Sequence, residues 1–217
     1  MGAEIGLVIF DFDGTLANSE PGITWVIEQV IAELDLPPTA VETWRQMIGI
    51  PLRTQLTHLL PETRQAELEN WIERYRAISA EVEPHFAPFE GMQAVVEHLD
   101  QAGIPMAIAS SRVSTGILKI LAHWDWPVTF DPVISPTEVR QPKPHPESVE
   151  RILAHYDQDP ATALLIGDTS FDIEMACRAG ISSWGVTWGV HSVQQLQTAG
   201  ATRCFTTPAD VLKGLQG

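Results

Sequence analysis

The sequence predicts an α/β fold, a doubly wound parallel sheet with a small all-helical insert. Three observations predict it. Short continuous apolar runs recur along the chain, as strands buried on both faces of a parallel sheet require. Helical patterns separate most of these runs, the alternation expected when helices cover both faces. Residues 17–87 break the alternation, with helical stripes and no strand signal. A chain of 217 residues that is 44% hydrophobic can bury the core of one good-sized domain plus a small insert.

The first strand is residues 5–10, IGLVIF, and it stops at Asp11. In the insert, Ile23, Val26, Ile27, Val30, Ile31 and Leu34 repeat at helical spacing, and Pro37 and Pro38 end that helix. A second helix is expected over 41–48, a third over 52–60 between Pro51 and Pro61, and a fourth over 63–83. Linkers at 16–19 and 84–90 then divide the chain into a core (1–16 and 88–217) and an insert (17–87). Later strands are expected at 104–109, 132–134, 163–166, 184–187 and 203–206. The helices between them cover 91–102, 114–123, 146–156 and 171–179, the first stopped by Gly103 and the last by Gly180. Trp25, Trp44 and Trp71 are expected to fill the core of the insert, and Trp124, Trp126, Trp184 and Trp188 to serve packing.

The formal net charge is −15. Such a surface repels nucleic-acid backbones and anionic lipid, so neither is an expected partner. A phosphate site on this chain must be built locally from a cation and backbone N–H groups. Cys177 and Cys204 make no disulfide framework and are expected as buried thiols. No apolar stretch approaches the roughly 20 residues of a membrane span, and the first residues lack a signal-peptide pattern. A cytoplasmic protein is expected.

Four segments carry chemistry. Asp11-Phe12-Asp13-Gly14-Thr15 puts two acids at the C-terminal end of a buried strand, where ligands bind in open α/β sheets. Burying both is costly unless a cation neutralises them, and hard oxygen ligands suit Mg²⁺. Gly14 allows a tight curl of the backbone. Gly167-Asp168-Thr169-Ser170-Phe171-Asp172 delivers further acids at the end of another apolar run. Taken alone, Asp168 or Thr169 reads as a cap of the following helix. Ser110-Ser111-Arg112 follows the 104–109 strand, where a hydroxyl and the next amide can bond a phosphoryl oxygen. Lys143, held between Pro142 and Pro144, can neutralise a phosphate or a carboxylate.

Together, in this order, the four segments resemble the haloacid dehalogenase superfamily, and the insert resembles the helical cap of its phosphoglycolate phosphatase-like branch over a Rossmann-like core. The resemblance implies Asp11 as nucleophile, forming an aspartyl-phosphate, and Asp13 as acid and then base. It implies Mg²⁺ on Asp11, the Asp13 main chain and Asp168, with Asp172 supporting. Gly14, Ser110, Ser111 and Lys143 would bind phosphate. As a donor, Asp13 would need a raised proton affinity, which closure of an apolar cap would supply. Gly49-Ile50-Pro51-Leu52 is similar to a cap loop that projects toward substrate, and Arg45, Arg53 and His58 are candidates for the substrate's second anionic group.

Within that resemblance, Asp13-Gly14-Thr15 argues against C–halogen chemistry. The lack of lysine in 17–87 argues against Schiff-base phosphonate cleavage, and Ile23 stands where mutases carry a histidine. The expected substrate is a small phosphorylated metabolite, phosphoglycolate first, then pyrophosphate or a sugar phosphate. A phosphoaspartate receiver module is the rival of another class, although it needs neither the insert nor the 167–172 segment.

Overall fold

The computed structural model describes residues 5–217. Six parallel strands form one sheet: β1 Leu7–Phe10, β2 Met106–Ala109, β3 Val133–Ile134, β4 Ala163–Gly167, β5 Ser182–Val186 and β6 Arg203–Phe205, in spatial order β3-β2-β1-β4-β5-β6. The chain builds outward from β1 on one side, then returns to place β4 on the other. A crevice therefore opens past the C-terminal ends of β1 and β4, where Phe10 pairs with Ile166.

Period-two alternation explains why β1 reads as a continuous apolar run. Val8 and Phe10 pack into one apolar cluster, Leu7 and Ile9 into another on the opposite face. Met92–Gln101, Ser114–Trp124 and Pro208–Gln216 cover the first face. Glu147–Tyr156 and Ser170–Ala179 cover the second.

Between β1 and the Met92–Gln101 helix lies the helical cap: α1 Glu20–Glu33, α2 Ala40–Arg45, α3 Leu52–Leu59, a 3₁₀ segment Glu62–Glu67 and α4 Leu68–Val82. The expected stripe of α1 is buried, and wholly buried Trp44 stacks on Tyr75 of α4 at 5.7 Å. The two linkers run side by side, with Asn18 N–H donating to Ala87 O and Phe89 N–H to Leu16 O, each at 2.9 Å. Both ends of the cap therefore leave the core at one place.

Some expectations need correction. The second cap helix ends at Arg45, and residues 46–50 form the loop that reaches the core. Trp25 is 41% exposed and fills no core. Trp71 is half-buried, its indole N–H on Glu67. Cys177 is exposed, because Met175 and Ala176 take the inward positions of its helix, and Cys204, on β6, is half-buried. Two helices not expected, Val193–Ala199 and Pro208–Gln216, start at Ser192 and Thr207, whose hydroxyls accept from Gln195 N–H and Asp210 N–H. Ser192 with Gln195 is a capping box, a pattern visible in the sequence. No helix among the described residues is long and apolar enough to cross a membrane.

Candidate active site

Asp11 follows β1 directly and is buried. One of its oxygens accepts from Lys143 Nζ at 2.8 Å and from the Phe12 amide at 2.6 Å. Lys143 reaches it from the segment before the Glu147–Tyr156 helix and pairs at 2.5 Å with Asp172. Asp172 also caps its own helix, its other oxygen accepting from Thr169 N–H and Oγ at 3.0 and 2.7 Å. Its place in a capping box and its bond to Lys143 are thus one arrangement. Asp168, at the end of β4, accepts from Thr15 Oγ at 3.0 Å and from Val190 N–H at 2.8 Å.

Asp11, Asp168 and Asp172 are all buried, and one oxygen of each lies within 4.8 Å of the others. Asp168 sits between two glycines. A Cβ on Gly14 or Gly189 would come within 2.3 or 2.1 Å of its carboxylate, and Gly14 also has φ +79°. Three carboxylates face one lysine, a surplus of two negative charges. Burial, then the charge of Asp172, pushes Asp11 up to about 7 despite the opposing pull of Lys143. Burial, then Asp11 and Asp172, raises Asp168 well above the usual carboxylate range. For Lys143, burial favours the neutral amine, but the two acids outweigh it and hold the ammonium above its usual range. The donor set, its excess charge and its glycine-lined surroundings fit a hard divalent cation.

That fit has a sign that can be measured. Asp11 sits near 7 when folded, against 3.8 in the unfolded chain. Such a group stabilises the fold fully below pH 3.8 and loses that contribution as pH rises toward 7. In EDTA, the thermal midpoint of the wild type is expected to fall over this window more than that of Asp11→Asn. Mg²⁺ is expected to raise the midpoint more at pH 7 than at pH 5. An Mg²⁺ shift that is equal at both pH values, or nil, would count against a cation on these acids.

The remaining candidates separate into two groups. Ser110 is buried, follows β2 and lines the cleft above Asp11. Ser111 Oγ donates to Gly49 O of the cap at 2.7 Å, so that hydroxyl joins cap to core. Gly49 has φ +107°, and a Cβ there would come within 2.8 Å of Thr169 Cγ2. The loop closes on the core only with glycine at this point. Asp13 lies outside the acid cluster, since Arg112 grips its carboxylate, with Nε to Oδ2 at 2.8 Å and Nη2 to Oδ1 at 2.9 Å. An apolar cap wall shares the cleft with Asp13 as expected, but a guanidinium not expected there holds the carboxylate itself.

Arg45, Arg53 and His58 do not line the cleft. Arg45 pairs with Glu20 at 2.7 Å, Arg53 is gripped by Glu69, and His58 bonds to Thr54 O of its own helix. Carboxylates on neighbouring cap helices hold the two arginines on the outside of the cap. The cap wall of the cleft, about 450 Å³ in volume, instead presents Ile23, Ile48, Ile50, Gln55, Tyr75 and Arg76, and Lys119 adds a cation from the core. Sequence reasoning pointed the loop that holds Ile50 toward the substrate but missed Gln55, Tyr75, Arg76 and Lys119 as cleft residues. It gave no individual role to Arg112, to Thr15 or to Trp188, whose indole N–H donates to Thr15 O at 3.2 Å.

The fold and site define a capped α/β protein, in which acids converge on a buried lysine past the C-terminal ends of β1 and β4. Residues 8–186 match the family model of the haloacid dehalogenase-like hydrolases, and the chain belongs to that family. It is 32% identical over 200 residues to "Probable phosphatase IndB" of Dickeya dadantii, covering 89% of this chain and 86% of that one. It is 28% identical over 184 residues to the phosphoglycolate phosphatase of Aquifex aeolicus, covering 84% and 85%. A solved haloacid dehalogenase-like family protein of Streptococcus pneumoniae has the same fold, with a TM-score of 0.84 at 23% identity, covering 98% of this chain and 99% of that one.

Proposed function

We propose that the protein is a Mg²⁺-dependent phosphatase of a small phosphomonoester, working through an aspartyl-phosphate on Asp11. The observation that carries this reading is the convergence of three buried carboxylates and Lys143 at the floor of a cleft shared by core and cap. Asp11 and Asp168 would hold Mg²⁺ together with the Asp13 main chain, Asp172 supporting. When bound, the ion supplies positive charge that lets an anionic carboxylate approach an anionic phosphate.

Asp11 attacks phosphorus from the end of β1. Lys143 keeps its carboxylate in place, and Asp172, by accepting from Lys143 and Thr169, fixes the ammonium. Ser110 and Lys143 bond the phosphoryl oxygens, with the Gly14 turn and the Ser111 main chain beside them. Asp13 gives a proton to the leaving oxygen and then takes one from water.

Phosphoglycolate is the favoured substrate. A phosphatase of that name is among the relatives. Arg76 of α4 and Lys119 of the Ser114–Trp124 helix line the cleft, available to the substrate's carboxylate. Pyrophosphate and sugar phosphates are the competing substrates, and the setting we infer is cytoplasmic, with no nucleic-acid or membrane partner.

A panel of phosphoglycolate, pyrophosphate, sugar phosphates and p-nitrophenyl phosphate tests this. The expected outcome is phosphate release that needs Mg²⁺, stops with EDTA, and has its highest kcat/KM for phosphoglycolate. A different best substrate would reject the finer assignment alone. A chain that only phosphorylates itself and never turns over would favour a receiver-type module.

A further inference from the structure

Arg112 is a largely enclosed cation at the site to which the chemistry above gives no task. It lies three residues past β2, and its side chain is only 10% exposed. Two of its nitrogens donate to the two oxygens of Asp13, at 2.8 and 2.9 Å. A third donates to Glu83, in the turn that leads from the last cap helix back to the core. Ser79 Oγ donates to the same Glu83 oxygen at 2.9 Å. The guanidinium lies over the Phe86 ring, 5.2 Å from its centroid, and the Arg112 main-chain N–H donates to Ser110 Oγ at 3.2 Å. One rigid, planar fork thus joins Asp13, the Ser110 loop and the root of the cap. Three of its donors are already committed to two carboxylates, an arrangement that suits fixing a carboxylate better than clamping a phosphate.

We propose that Arg112 is a positioning residue. It holds the Asp13 carboxylate at the cleft wall, in the orientation from which it serves the leaving oxygen, and Glu83 sets Arg112 from the cap side. The proposal rests on the reading of Asp13 as acid and base. In the step concerned, an Asp11 oxygen bonds to phosphorus and the bond from phosphorus to the leaving oxygen breaks. The electron pair stays on that oxygen, which takes the proton of Asp13. A proton on Asp13 occupies one carboxyl oxygen, and the other keeps the link to Arg112.

The test uses leaving groups. kcat/KM reports the steps through leaving-group release, and p-nitrophenolate departs without a proton, whereas an alkoxide needs one. The probes are p-nitrophenyl phosphate and whichever alkyl phosphate of the panel is turned over fastest. Asp13→Asn and Arg112→Gln are each expected to lower kcat/KM for the alkyl phosphate by about 10- to 100-fold or more, and for p-nitrophenyl phosphate by less than about threefold. Arg112→Lys, which keeps the charge and loses the fork, should fall between Arg112→Gln and wild type. Glu83→Gln, at a partly exposed side chain, should show the same pattern in smaller measure, and it decides the matter if Arg112→Gln does not fold. Equal losses on both substrates, or none, in the Arg112 and Glu83 variants overturn the proposal while Asp13 keeps its role. If Asp13→Asn itself shows no leaving-group dependence, the acid–base reading fails and the positioning role falls with it.

Discussion

Replacing Asp11 with asparagine is expected to lower kcat/KM by about 10⁴-fold or more in a protein that remains folded. The amide keeps the shape of the side chain and loses the charge of the oxygen proposed to attack phosphorus. Folding should survive because Asp11 is a burden on the metal-free protein. Burial and the neighbouring Asp172 push its carboxyl up to about 7, so ionising it at neutral pH opposes the fold. Lys143 keeps Asp172 as a partner in the variant. The metal-free thermal midpoint at pH 7 should therefore be unchanged or higher, while turnover is lost. Activity within about tenfold of wild type would mean that another group attacks phosphorus.

Lys143→Met is expected to damage stability and activity together. Lys143 is buried between two buried carboxylates, at 2.8 and 2.5 Å. Removing the cation leaves both acids unpaired in a medium that solvates charge poorly, and breaking a buried pair in this way costs about 3–5 kcal/mol. Denaturant titration in EDTA would read that loss. Adding Asp172→Asn removes one of the stranded charges and should restore part of the stability without restoring turnover. The expected coupling between the two sites is about 0.5–3 kcal/mol. A Lys143→Met protein as stable as wild type would contradict the placement of this lysine as the counter-charge.

The core of this arrangement was legible in the sequence because burial on two faces has an unambiguous signature. The runs at β1 and β4 are apolar at every position, and acids immediately after such runs have few structural reasons to be there. Lys143 was findable from its proline-flanked position together with those acids. The cap was legible as helices, but the outward or inward direction of its polar side chains was not. Arg45 and Arg53 flank the loop that touches the core, yet Glu20 and Glu69, far along the chain, draw them to the exterior. Arg76 lies on the long α4 helix, where periodicity marks the apolar stripe but not which polar edge meets the cleft. Arg112 was in view as part of a Ser-Ser-Arg turn, but its grip on Asp13, 99 positions away, depends on how β1 and β2 pair.

The most direct test is to trap the intermediate. Enzyme mixed with substrate and Mg²⁺ is quenched in acid within the steady state and reduced with borohydride, which converts an acyl-phosphate aspartate to homoserine, and the peptides are read by mass. The modification is expected at Asp11 and nowhere else, absent with EDTA and absent in Asp11→Asn. Steady turnover with no modified residue, or with the modification on a different acid, would contradict attack by Asp11.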